Sequence, residues 1–158
     1  MTDTLSFRLA QRADIPEIVR MLADDELGRQ RERCEDPLPA AYYAAFEQIS
    51  GSPYFELIVA EMDGRIVGTL QLIFIPSLSY QGGLRAQVES VRVDEALRNQ
   101  GIGQRLMNWA MDRARERGAH LVQLTTHHSR TDAHRFYERL GFTGSHLGMK
   151  ISLDLLHK

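Results

Sequence analysis

The chain has a single cysteine, Cys34, in 158 residues. No intrachain disulfide framework can staple it, and one thiol is compatible with a reducing compartment. It has no apolar run able to cross a bilayer, and no basic N-terminal region leading into an apolar stretch. A cytoplasmic location without a membrane partner is therefore the expectation. Charge of neither sign dominates: 19 Lys and Arg stand against 21 Asp and Glu, a formal net charge of −2. No overall basic field attracts nucleic acid, so no nucleic-acid partner is expected. Internal repeats, low-complexity tracts and linkers are also missing. What remains is an ordinary globular composition, 43% hydrophobic and 25% charged, over a length that fits one domain, 1–158, able to bury a core without covalent help.

Several chemical signatures are incomplete. His127, His128 and His134 invite a metal, but adjacent histidines on a strand point to opposite faces and no Cys or carboxylate completes a ligand spacing, so no metal is expected. Cys34 lies in a charged connector with no base partner that would make it a covalent relay. Gly101 and Gly103 suggest a phosphate loop, yet Gln104 and Arg105 follow where a Walker loop needs Lys and Ser or Thr. Leu106 occupies the place of the third glycine of a dinucleotide fingerprint.

The elements can be read in order. Leu5, Phe7 and Leu9 alternate as a first strand, and Asp14-x-x-Glu17 with Pro16 opens a helix carrying Ile15, Ile18, Val19 and Leu22, expected to run to about Gly28. Residues 28–39 form a charged, turn-rich connector, either a solvated link or a wall of an acceptor site. Asp24, Asp25 and Glu26 just before it are either solvent-facing or a lure for a cationic acceptor. Tyr42, Tyr43, Phe46 and Ile49 mark a second helix ending near Ser50-Gly51. Residues 54–62 and 65–75 flank Asp63-Gly64, a strong hairpin signal. After a loop over 76–83, Val88, Ser90 and Arg92 alternate with Glu89, Val91 and Val93 as an extended strand. The helix opening at Gly101 carries Ile102, Leu106, Trp109, Ala110 and Ala114 and stops at Gly118. A buried strand at His120–Thr125, a helix with Ala133, Phe136, Tyr137 and Leu140 ended by Gly141, and a closing strand at His146–Leu155 complete the order β-α-α-β-β-β-α-β-α-β.

The run Gln87–Gly103 joins a strand, a turn and a glycine-rich helix start, where unpaired N–H groups and the helix dipole favour phosphate. Its Val-x-Val followed by Arg98-x-x-Gly101-x-Gly103 resembles the coenzyme-A-binding signature of the GNAT superfamily of acyl-CoA N-acyltransferases. Phe136-Tyr137-Glu138-Arg139-Leu140-Gly141-Phe142 is similar to the same family's aromatic-Tyr-x-x-x-Gly-Phe ending. The resemblance covers almost the whole chain. It implies an α/β (α+β) GNAT fold, a mixed, mostly antiparallel sheet with helices on both faces, whose fourth and fifth strands run parallel and splay apart to admit the cofactor.

It also implies a chemistry: transfer of an acetyl group from acetyl-CoA to a primary amine of a small molecule or peptide, by direct attack in a ternary complex. A lysine-like amine with a pKa of about 10.4 must lose a proton before it attacks. Glu89 stands where many members hold the general base, acting directly or through water; a paired structural glutamate is the plain alternative. Strict alternation puts Glu89 on the face of Val91 and Val93, and a bulge beside it would change its aim. By resemblance Val91 donates its N–H to the thioester carbonyl, and Val91 and Val93 pair with the pantetheine amides. Asn99, Gln100, Gly101, Ile102, Gly103 and Gln104 receive the diphosphate; Arg98 and Arg105 either add charge or are solvated surface beside the helix end. Tyr137 resembles the general acid that protonates the leaving sulfur; a core tyrosine with its hydroxyl at the edge is the alternative. Arg130 stands where many members carry Asn on the pantetheine arm; as a cofactor contact it would serve the phosphates instead, and the alternative is that the contact is absent. Two rivals stand beside this reading, a non-catalytic acyl-CoA-binding or regulatory module and an acyltransferase for another acyl chain or acceptor. The fold is compatible with a homodimer, although nothing in the sequence specifies a surface.

Overall fold

The computed structural model describes residues 4–154. The chain divides into two compact units, Met1–Leu124 and Thr125–Lys158. The first contains β1 (Ser6–Leu9), α1 (Ile15–Leu22), α2 (Glu26–Arg31), α3 (Ala40–Ser50), β2 (Phe55–Met62), β3 (Arg65–Pro76), a helical turn α4 (Ser79–Gly82), β4 (Leu84–Val93), α5 (Ile102–Glu116) and β5 (Leu121–Leu124). The second contains α6 (Thr131–Arg139).

Among the described residues five strands form one sheet in the order β1-β2-β3-β4-β5. The first three pairings are antiparallel and the last, β4 with β5, is parallel, as the resemblance implied. The β2–β3 turn places Asp63 at φ +52° and Gly64 at φ +78°, the left-handed pair that a two-residue hairpin needs to match strand twist. Helices cover both faces. Ile15, Ile18 and Val19 of α1 and Phe46 of α3 bury against Val59 of β2, whereas Glu56, on the opposite face by alternation, receives Arg113 of α5 at 2.6 Å. Each buried aliphatic of that cluster removes enough surface to contribute about 1.5–3 kcal/mol before entropy is counted.

Two expectations are corrected. The first helix stops at Leu22, not at Gly28, and α2 follows it. Asp25 is the N-cap of α2, its carboxylate accepting the Gly28 N–H at 2.6 Å, and so belongs to the next helix's start. Gly28 is close-packed: a Cβ there would lie 2.0 Å from the Leu22 carbonyl oxygen. The alternating run His146–Leu155, expected as a closing strand, carries no ladder among the described residues, and Leu155 lies outside them. Alternation gives a segment two faces, but a strand exists only through hydrogen bonds to a neighbour.

Candidate active site

β4 has two neighbours for half its length only. β5 pairs with it from Arg85↔Leu121 to Val88↔Leu124, while the β3 pairing continues to Gly68↔Val93. Glu89 is therefore the first residue of β4 past the end of the β5 pairing. The bulge that would re-aim it is present. Gln71 faces Glu89 and Thr69 faces Arg92, so two steps on β3 match three on β4, and the extra residue is accommodated with Ser90 at φ +54°. Thr69 and Gln71 share a face by alternation, so Glu89 and Arg92 share one too, and Val93, opposite Gly68, turns to the other. Strict alternation would have grouped Glu89 with Val93. The Glu89 carboxylate is held from within the strand. Its Oε1 accepts from Gln87 Nε2 at 2.6 Å, and Gln87 Oε1 accepts from Gln123 Nε2 of β5 at 2.9 Å. One carboxylate oxygen is thus fixed by a two-amide relay and the other is left for a further donor.

The turn after β4 is anchored by Asp94. Its N–H donates to the Val67 carbonyl at 2.8 Å. Its carboxylate accepts from the Ala96 N–H at 3.0 Å and from Arg20 Nη2 at 2.8 Å. Burial pushes the Asp94 carboxyl up, but the Ala96 N–H and the Arg20 guanidinium outweigh it and hold the group below the usual carboxylate range. Asn99 at φ +64° and Gly101 at φ +82° then turn the chain into α5. The first backbone bond of that helix runs from Arg105 N–H to the Gly101 carbonyl at 3.1 Å. The N–H groups of 99–104 find no acceptor among the described residues, and a Cβ on Gly101 would meet nothing within 4 Å. Arg98 faces Asp24 at 3.9 Å, and Arg92 faces Asp25 at the same distance. These acids at the α1–α2 junction thus face the arginines of β4 and of the turn after it, which weakens their reading as a lure for a cation.

In the second unit, Arg130 is the N-cap position of α6, and its carbonyl accepts the His134 N–H at 3.2 Å. Tyr137 lies edge-on to Phe136 and Phe142, with ring centroids 5.2 and 5.8 Å away. Its carbonyl accepts the Phe142 N–H at 3.0 Å, a closure that needs Gly141 at φ +100°. The Tyr-x-x-x-Gly-Phe spelling is thus first a helix stop that folds Phe142 back onto Tyr137. The histidines are engaged with their own loop: His127 Nδ1 lies 2.7 Å from Ser129 Oγ and His134 Nε2 lies 3.1 Å from the His127 carbonyl. No group of three metal-ligating side chains occurs among the described residues.

Residues 17–142 match the acetyltransferase (GNAT) family. The chain belongs to that family. It is 36% identical over 88 residues to an aminoalkylphosphonate N-acetyltransferase of Salmonella typhimurium, covering 56% of each chain. It is 32% identical over 90 residues to a glucosamine 6-phosphate N-acetyltransferase of Trypanosoma brucei brucei, covering 57% of this chain and 59% of that one. The match spans little more than half the length of these curated relatives. Among solved structures, one described as a transcriptional regulator from Bacillus halodurans C-125 shares 52% identity over 94% of this chain and 99% of its own, with a TM-score of 0.92.

Within this GNAT chain, Glu89, Val91, Val93 and Arg98–Gln104 fall on one strand and the turn that follows it, in the first unit; Arg130 and Tyr137 fall in the second. The GNAT motifs did not point to Gln87, Gln123 or Asp94. Gln87 sits two residues before Glu89, the spacing that shares a strand face, so that partner was open to inference. Gln123 required the parallel register of β4 with β5. Asp94 required the turn geometry.

Proposed function

We propose that this GNAT chain is an acetyl-CoA-dependent N-acetyltransferase that acts on a primary amine of a small molecule or peptide by direct attack in a ternary complex. One observation carries the reading. Where β5 leaves β4, a carboxylate with one oxygen fixed by amides lies on the strand that leads into a turn whose N–H groups at 99–104 are unspent among the described residues. That turn fits a diphosphate: it offers several donors, the positive end of a fifteen-residue helix and open space over Gly101. Asn99 to Gln104 would hold the diphosphate, Arg98 would exchange Asp24 for it, and the free edge of β4 at Val91 and Val93 would align the pantetheine amides. Acetyl-CoA supplies the thioester.

The protein's part is proton traffic and charge stabilisation. Glu89 takes the ammonium proton, directly or through a water, so that the amine nitrogen can form the new N–C bond. The Val91 N–H donates to the carbonyl oxygen as charge builds on it. As the C–S bond breaks, the Tyr137 phenol gives a proton to sulfur and the second amine proton leaves to solvent, from which Tyr137 is reprotonated, and the products are the amide, free coenzyme A and, once Glu89 releases its proton, one proton.

The acceptors of both curated relatives combine an amine with a phosphonate or phosphate. Arg85 lies on the Glu89 face two alternations earlier in β4. Its side chain has no hydrogen-bond or ion-pair partner among the described residues, and its Nε is buried. An anion on the acceptor would satisfy it, so amines carrying a phosphate or phosphonate form the acceptor class to try first. A second reading, a non-catalytic acyl-CoA-binding module, is favoured by the regulator description of the Bacillus halodurans relative. Amine-dependent thiol release from acetyl-CoA, measured across aminoalkylphosphonates, amino-sugar phosphates, polyamines and peptides, separates the two. Turnover with at least one amine is expected, and Tyr137→Phe should lower kcat by about 10- to 100-fold with acetyl-CoA affinity retained. Binding of acetyl-CoA without thiol release for any amine, and for any longer acyl donor, would establish the module instead.

A further inference from the structure

Arg85, Gln87 and Glu89 share one face of β4, as the Gln87–Glu89 hydrogen bond at 2.6 Å requires. The residues opposite them on β3 and β5 are aliphatic or amide. This stretch of the sheet face therefore carries one cation and one acid, and between them an amide already bonded to Glu89 and to Gln123. The next charge along the face, Arg92, lies past the bulge and faces Asp25 at 3.9 Å.

The two charges do not meet. Glu89 has its amide donor, whereas the Arg85 side chain has no hydrogen-bond or ion-pair partner among the described residues although its Nε is buried. Four residues of strand, at about 3.3 Å each, put their Cα atoms about 13 Å apart. Ile75 and Leu121 stand directly opposite Arg85 on either side, so its stem is flanked by aliphatic side chains. In such surroundings an unmatched charge is costly and a matching anion is held strongly.

We infer that the acceptor is a zwitterion laid lengthwise along β4, its ammonium at Glu89 and its anion at Arg85, and that the fixed spacing of these two charges selects its length. This rests on the acetyl-transfer reading, and it fixes which end of the acceptor lies where and what the site rejects. The anion is a phosphate, phosphonate or carboxylate, each of which offers a guanidinium two oxygens. A neutral monoamine leaves Arg85 unmatched. A polyamine brings a second cation to it, and the like charges repel.

Thiol release from acetyl-CoA tests this with ω-aminoalkylphosphonates and ω-aminocarboxylates of one to five carbons, beside the aminoalkane and the diaminoalkane of each length. Wild type, Arg85→Met and Arg85→Lys are compared, Met keeping the aliphatic stem without the charge. In the wild type kcat/KM for at least one anionic series should exceed that of the neutral amine of equal length by about 10- to 100-fold. It should lie further above the diamine and pass through a maximum at one length. Arg85→Met should bring the ratio of anionic to neutral amine close to one, and Arg85→Lys should restore part of it. Anionic amines no better than neutral ones, a length profile without a maximum, or a preference that survives in folded Arg85→Met overturns the inference and leaves acetyl transfer standing. The wild-type comparisons decide the question even where the variant fails to fold. If no amine releases thiol, acetyl transfer fails and calorimetry decides the site by itself: γ-aminopropylphosphonate should bind wild type at least about 10-fold more tightly than Arg85→Met, and equal affinity, or binding to neither, overturns it.

Discussion

Leu84–Val88 and Glu89–Val93 are consecutive halves of one strand with different neighbours. The first half has a strand on each side and places Ala86 and Val88 in the core, at 0% and 2% exposure. The second has β3 on one side only, carries a bulge at Ser90, and has no fully buried residue. Burial on both sides fixes side chains through packing and leaves them no chemistry to do. With one side open, backbone donors and a carboxylate face outward while β3 still fixes their positions, and this is the arrangement a site on a rigid element requires.

The contrast predicts that adjacent residues fail in opposite ways. Glu89→Gln keeps shape and the option of a hydrogen bond from Gln87 but removes the proposed base. It should lower kcat/KM by about 10²- to 10⁴-fold while moving the unfolding free energy by less than about 0.5 kcal/mol. Val88→Ala, one residue earlier, empties buried volume and should cost about 2–3 kcal/mol of stability with kcat within about twofold of wild type. Urea unfolding and steady-state kinetics on both variants read the pair. If Glu89→Gln destabilises as much as Val88→Ala and turns over normally, the open half is structural and the division along β4 is wrong.

How much of this was legible beforehand follows the same division. Hydrophobic alternation and turn residues are local, and they located the hairpin at Asp63-Gly64, the strand before the turn at 94–101 and the helix starting after Gly101. The two motifs named the family. What alternation cannot encode is a count mismatch between two strands, so the face of Glu89 depended on where Ser90 was inserted. Nor does a run of acids reveal which is a cap: Asp24 and Asp25 looked equivalent as charge, and only the Gly28 N–H distinguishes Asp25. The closing run 146–155 was misread for a physical reason as well, because alternation is local and a ladder is not: 146–154 carry no ladder among the described residues.

A smaller effect sharpens the boundary itself. Gln87 belongs to the paired half but reaches across it, accepting from Gln123 and donating to Glu89. Gln87→Leu retains the volume and removes both bonds. A hydrogen bond to a charged group is worth about 1.5–3 kcal/mol when buried and less at partial exposure, so a fall in kcat of about 5- to 10-fold is expected, with KM for acetyl-CoA unchanged. Gln123→Leu acts one step further away and should cost less. Equal losses in kcat and in acetyl-CoA affinity would mean that the substitution disturbs the strand opening rather than the carboxylate.

The smallest effect concerns how the open half is held at its far end. Asp94 follows Val93 and ties the strand to β3 through its N–H, to the turn through Ala96 and to α1 through Arg20. Its folded-state pKa lies below the unfolded value of about 3.9. The carboxylate therefore contributes its full stabilisation above that value, and the contribution is lost as pH falls toward the folded pKa, because the unfolded chain takes up the proton first. Asp94→Asn should cost about 1–2 kcal/mol at neutral pH, and wild type and variant should converge below about pH 4. Asp14, whose carboxyl is likewise held low, chiefly by the hydrogen bond from Arg8, gives both proteins the same acid slope and cancels in the difference. Because Asp94 is the last fixed point before the turn, acetyl-CoA affinity should weaken in step with stability over this range. Parallel stability curves would place the anchor elsewhere, and convergence of stability without any change in affinity would show that the open half keeps its shape without it.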